Sequence, residues 1–216
     1  TNWQTVSAFG EVSLAIKSDG TLWAWGYNGA GQLGDGTNIS KKAPIQIGTA
    51  SNWKSVSAGN HSLAIKNDGT LWAWGFNSSG QLGDGTTTNK NIPTQIGTAT
   101  NWLSVAIGSE HSTAIKSDGT IWAWGKNNFG QLGDGTNINQ TSPLQVGIAN
   151  DWKNVTTNWE HTLAIKSDGL FAWGRNSSGQ LGDGTNTNKN TPTEISGCIN
   201  PADGCWESVT GGGSFT

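Results

Sequence analysis

Leu22-Trp23-Ala24-Trp25-Gly26 returns as Leu71-Trp72-Ala73-Trp74-Gly75, as Ile121-Trp122-Ala123-Trp124-Gly125 and, shortened, as Leu170-Phe171-Ala172-Trp173-Gly174. The second tryptophans of these blocks stand 49, 50 and 49 residues apart. A period of that size marks a repeat architecture, in which each unit buries its apolar faces against its neighbours.

The block sits in a longer register. Each unit opens on Asn2-Trp3, Asn52-Trp53, Asn101-Trp102 or Asp151-Trp152 and continues as a Trp-x-x-Val run. An Ala-Ile-Lys segment follows, then Asp-Gly, the tryptophan block and Gly-Gln-Leu-Gly-Asp-Gly-Thr. A polar loop leads to a proline (Pro44, Pro93, Pro143, Pro192) and a last apolar run. The repeats are read as 1–50, 51–99, 100–149 and 150–203, with a partial fifth over 204–216 that starts at Trp206.

The segments within a unit are short, rich in Val, Ile, Leu, Trp and Thr, and punctuated by Gly, Asn, Asp and Pro, which is a strand-and-turn pattern. Asp19-Gly20 and its equivalents predict tight hairpins, because glycine accepts positive φ without steric cost. Four short strands in about 50 residues is the arithmetic of a β-propeller blade. The expected fold is therefore all-β: four complete four-stranded blades plus the first strand of a fifth, in one continuous module. Side chains alternate along a strand, so Trp23 and Trp25 share one face and Ala24 the other. The bulky face of one blade is expected to pack on the next blade's alanine, which would account for most of the 13 tryptophans.

Composition removes several classes of function. With 12 basic against 15 acidic residues the chain lacks the dense positive surface that nucleic-acid binding requires. No apolar run approaches the roughly 20 residues of a membrane-spanning helix. No signal peptide is visible, and the absence of any Met suggests a processed or excised segment. Cys198 and Cys205 flank an inserted Pro and Asp-Gly turn, which stretches the last Trp-to-Trp step to 54 residues. Two cysteines do not make a zinc site, and the pair is expected to close a small disulfide loop outside a reducing cytosol.

His61, His111 and His161 share one repeat position, filled by Val12 in the first unit. Equivalent positions in neighbouring blades lie on the order of 10 Å apart, whereas zinc–nitrogen bonds are about 2 Å, so these histidines are read as turn or packing residues. The Gly-Asp-Gly elements lack both the lysine of a phosphate loop and the carboxylate series of a calcium loop, and are read as structural. Carboxylates recur one per unit in turns, and no serine or cysteine has a nucleophile's setting. The sequence thus predicts no catalytic residue, no metal and no cofactor.

Trp-x-x-Val, Gly-x-x-His-Ser-x-Ala-Ile, Asp-Gly-x-x-Trp-x-Trp-Gly-x-Asn and Gly-Gln-Leu-Gly-x-Gly, repeated in register along the chain, together resemble the repeat of the regulator of chromosome condensation family. That resemblance implies a seven-bladed propeller in complete members, of which this chain would supply about four blades. It also brings nucleotide exchange on a small GTPase, which in that family uses an inserted wedge. The repeats here run at nearly constant length, so exchange is the least expected activity. The even spacing and the cysteine pair are more similar to secreted bacterial members that bind an enzyme with loops on one face.

Function is expected where the copies differ: Tyr27, Phe76, Lys126 and Arg175 after Trp-Gly, Phe129 nearby, and Phe9 and Trp159 before the histidine position. Aromatic residues on the loops of a rigid scaffold are typical anchors for a protein partner. The sequence reading is thus a non-enzymatic protein-interaction propeller segment, bacterial and extracellular or at the cell surface. Two alternatives stand beside it: a building block that assembles through its open blades with further copies of itself, and a sugar-binding module using exposed rings and Asn-rich loops.

Overall fold

The computed structural model describes residues 2–195. The Cys198–Cys205 pair and the partial repeat from residue 204 lie outside the described residues. Those described form sixteen strands in four antiparallel sheets, each a meander in sequence order. Blade 1 contains β1 (Trp3–Phe9), β2 (Val12–Lys17), β3 (Leu22–Gly26) and β4 (Lys41–Gln46). Blade 2 contains β5 (Trp53–Ser57), β6 (His61–Lys66), β7 (Leu71–Gly75) and β8 (Lys90–Gln95). Blade 3 contains β9 (Trp102–Ile107), β10 (His111–Lys116), β11 (Ile121–Gly125) and β12 (Gln140–Gln145). Blade 4 contains β13 (Trp152–Asn158), β14 (His161–Lys166), β15 (Gly169–Gly174) and β16 (Lys189–Glu194).

The first strands β1, β5, β9 and β13 pack on one another in succession, which places them around the axis and the fourth strands at the rim. Each rim strand carries a proline, Pro44, Pro93, Pro143 or Pro192, which cannot donate to a further strand and so blunts an exposed edge.

The core lies in the seams between blades. Leu14, Ile16, Leu22, Ala24 and Leu33 of blade 1 form one buried cluster with Trp53, Ala64 and Trp74 of blade 2. The same positions meet at the next two seams, around Trp124 and Trp173. Bulky does pack on small, but the direction is the reverse of the expected one. Trp74 faces back onto the blade that carries Ala24, because that side offers a glycine loop: a Cβ on Gly34 would lie 2.8 Å from the Trp74 Nε1. Among the described residues no blade precedes blade 1, and its tryptophan face is open. Trp3 is 44 % exposed, where its equivalent Trp53 is 4 % exposed.

The tight Asp-Gly hairpins are present between the second and third strands of each blade. Gly20 N–H donates to the Lys17 carbonyl at 2.9 Å and only the glycine has positive φ, at 78°, so it follows the turn rather than sitting at its centre. It also lies under the segment entering blade 2, where a Cβ would come within 2.1 Å of the Ser51 carbonyl oxygen.

Candidate functional site

The long loops after the third strands are fixed by one buried side chain per blade. Asn28 is fully buried; its amide donates to Asp35 Oδ1 and to the Thr37 carbonyl, both at 3.0 Å, while its Oδ1 accepts from Leu33 N–H at 2.9 Å. Asn77, Asn127 and Asn176 repeat the arrangement. Burial raises the Asp35 carboxyl, but hydrogen bonds from Lys41, Thr37 and Asn28 outweigh it and hold the group below the usual carboxylate range. The Gly-Asp-Gly elements are thus engaged internally, and among the described residues no group of three or more His, Cys, Asp or Glu could hold a metal.

The loops so fixed aim a carbonyl across each seam. Gln32 O accepts from Trp74 Nε1 at 2.9 Å and from Ser62 Oγ at 2.8 Å. Gln81 O does the same for Trp124 and Ser112, at 2.9 and 2.7 Å. Gln131 O accepts from Thr162 Oγ1 at 2.9 Å. His61 Nε2 lies 2.8 Å from Ser112 Oγ, and His111 Nε2 lies 3.1 Å from Thr162 Oγ1. Each hydroxyl has one proton, already donated to the glutamine carbonyl, so each imidazole carries its own proton on Nε2 and leaves Nδ1 bare. The histidines are packing and bridging residues of the seams, and burial pushes both down to about 3.

The start of β2 pairs with the end of β3, as Val12 with Gly26, so the first-to-second-strand turns and the long loops share one face of the propeller. Tyr27, Phe76, Lys126 and Arg175 each donate a backbone N–H to the carbonyl of the turn residue beside them: Glu11, Asn60, Glu110 and Glu160. All seven candidate residues therefore lie on this loop face, but only some converge.

Convergence occurs at the seam between blades 3 and 4. Lys126 Nζ lies 3.3 Å from Glu110 and 3.5 Å from Glu160, and Arg175 binds the other Glu160 oxygen at 2.7 Å. The Arg175 guanidinium lies 5.3 Å from the Phe129 ring centroid, a cation–π contact across the seam. Ser109 Oγ donates to the Trp159 carbonyl at 2.6 Å, and Asn158 Oδ1 accepts the Trp159 N–H at 2.8 Å. These bonds hold the turn backbone while the indole stays 52 % exposed. Tyr27 is half exposed with its hydroxyl over Gly29, Phe76 is half-buried, and the half-buried Phe9 ring abuts Gly59; these three stay apart from the cluster.

Glu110 and Glu160 were outside the sequence-derived set. Their signal was an acidic residue just before the histidine position, paired with a cation after the tryptophan block of the same unit. The rings of Trp23, Trp72 and Trp122 are poor sugar platforms, since Lys17, Lys66 and Lys116 place ammonium groups 3.4, 3.7 and 3.8 Å from their centroids.

A family model described as RCC1-like domain matches residues 1–216. Human WBSCR16 is similar in structure, with a TM-score of 0.80 and 25 % identity over 90 % of this chain and 53 % of its own. Saccharomyces cerevisiae Prp20p gives a TM-score of 0.82 and 22 % identity over 91 % of this chain and 51 % of its own. Yeast RCC1 (Prp20) bound to Kap60 gives 0.81 and 22 % identity over 91 % and 49 %. The chain spans about half the length of these structures. No curated protein matches it by sequence.

Proposed function

The chain belongs to the RCC1-like domain family, and we propose that it serves there as a protein-docking propeller whose contact surface is the loop face at the seam between blades 3 and 4. The observation that carries this reading is the convergence of Lys126, Phe129, Arg175 and the Trp159 turn, four positions at which the repeats diverge, into one cross-seam cluster. An exposed indole on a pinned turn loses little conformational entropy on binding, which suits it to be an anchor. Yeast RCC1 bound to Kap60, and the studied binding of Prp20p to Gsp1p and histones, agree with docking as a use of this scaffold. An extracellular location for a bacterial protein rests on the even repeat spacing and the Cys198–Cys205 pair, and the disulfide it supposes is tested by intact mass before and after reduction.

The docking reading is tested with the wild-type chain, a Trp159→Ala/Arg175→Ala variant and a rim variant, Ile92→Ala, as bait. A partner retained by wild type and Ile92→Ala but lost from the double variant supports it. Partners indifferent to Trp159 and Arg175 overturn it. A second reading, assembly through open blades, is favoured by the exposed Trp3 and Val6 on blade 1. A defined oligomer in light scattering, dissociated by Trp3→Ser, would support that reading, and a stable monomer would remove it.

A further inference from the structure

Two of the three described seams contain a buried imidazole and one does not. His61 bridges blade 2 to Ser112 of blade 3, and His111 bridges blade 3 to Thr162 of blade 4. At the seam between blades 1 and 2 the same position is Val12, yet Ser62 still donates to the Gln32 carbonyl at 2.8 Å. The hydroxyl-to-carbonyl bond therefore does not need the histidine, and valine fills its place at 4 % exposure.

We propose that the seams on either side of blade 3 are acid-labile joints, which part when His61 and His111 take up protons, while the Val12 seam is acid-tolerant. The geometry explains the direction. Both rings are fully buried, their Nε2 hydrogens are already donated across the seam, and the remaining Nδ1 atoms have no partner among the described residues. A proton on Nδ1 would create a buried cation without a counter-charge, which the protein relieves by exposing the ring.

The surrounding groups add no compensation. His61 is opposed chiefly by burial. His111 faces His61, His161 and Lys126, all of which oppose a further positive charge, and the Glu110 and Glu160 carboxylates nearby are held by Lys126 and Arg175. His161 is only half-buried and contributes less.

These histidines titrate near 6.5 when unfolded and are pushed down to about 3 when folded, so the unfolded or opened state binds more protons between those limits. Their stabilisation is complete above pH 6.5 and is lost progressively as pH falls toward 3. At pH 5 the opening constant should rise roughly 30-fold per histidine, or on the order of 10³-fold for both. Ser109–Trp159 and Lys126–Glu160 cross one of these seams, so its opening would also disperse the docking cluster. The joint itself does not depend on that functional reading.

The test is urea unfolding of the 216-residue chain at pH 7 and pH 5, a window above the carboxylate range, together with His61→Val/His111→Val. Wild type should lose roughly three orders of magnitude in its folding constant, and the double variant, which copies the valine of the first seam, should lose little. Hydrogen exchange at pH 5 should show blade 3 opening before blade 1. Equal pH dependence in both proteins, or none in wild type, overturns the proposal. If the double variant does not fold, histidine Cε1-proton NMR of the wild type in sub-denaturing urea decides: folded His61 and His111 signals that keep their positions from pH 7 to pH 5 but lose intensity to protonated, opened-state signals support it, and either titration near 6.5 within the folded state or no loss of intensity overturns it.

Discussion

The seam between blades 1 and 2 and the seam between blades 3 and 4 are built on one plan and differ in what they present. Inside, both bury tryptophan against Ala, Leu and a glycine loop. Outside, the first presents the separate rings of Tyr27 and Phe76, whereas the second presents a continuous charged and aromatic cluster. Interiors are close-packed and tolerate little change of volume, so four blades keep one solution. The loop face has no such constraint once the buried asparagines hold its backbone.

The largest expected effect comes from breaking the shared part. Trp74→Ala and Trp173→Ala should each cost about 3–5 kcal/mol, because each side chain fills its seam and its loss leaves a cavity. Replacement by phenylalanine sharpens the contrast. Trp74 Nε1 donates to Gln32 O at 2.9 Å, whereas Trp173 Nε1 has no partner among the described residues. Trp74→Phe should therefore cost about 1 kcal/mol more than Trp173→Phe in urea unfolding at pH 7. Equal costs would show that the indole–carbonyl bond contributes nothing net.

The reach of the sequence follows the same division. Trp25, Trp74 and Ala24 were legible because strand alternation and the repeat period act locally and recur. The backward direction of packing was not, since alternation assigns residues to a face without saying which neighbour that face meets. Asn28, adjacent to a conspicuous glycine loop, reads as one more polar loop residue until its contacts to Leu33, Asp35 and Thr37 are in place. The cluster at blades 3 and 4 was legible in its parts, Lys126, Phe129, Trp159 and Arg175, but not as a whole. Its central residue, Glu160, joins Lys126 from the preceding blade, a meeting set by blade geometry rather than by spacing along the chain.

Arg175→Ala probes the unshared part, and its expected effect on stability is smaller. The side chain is 46 % exposed, so its pair with Glu160 is screened by solvent and its removal should cost no more than about 1 kcal/mol. Partner retention, by contrast, should fall well beyond what that destabilisation explains. A loss of binding that only tracks unfolding would place Arg175 among the structural residues.

The smallest effect is expected at a loop where blade 3 departs from the other blades. Lys41, Lys90 and Lys189 lie 3.0, 3.4 and 3.2 Å from Asp35, Asp84 and Asp183, whereas blade 3 sets the Gln140 amide 3.4 Å from Asp134. Gln140→Lys should restore the pair and stabilise by roughly 0.3–1 kcal/mol, and Lys41→Gln should lose a similar amount from blade 1. Both shifts should shrink in high salt, because the pairs lie near the surface. Opposite shifts of similar size, read from urea midpoints, would mean that the ion pair is interchangeable among blades. A stabilising Gln140→Lys beside a neutral Lys41→Gln would mean instead that the loop of blade 3 is the weaker one, held by an amide where the other blades use an ion pair.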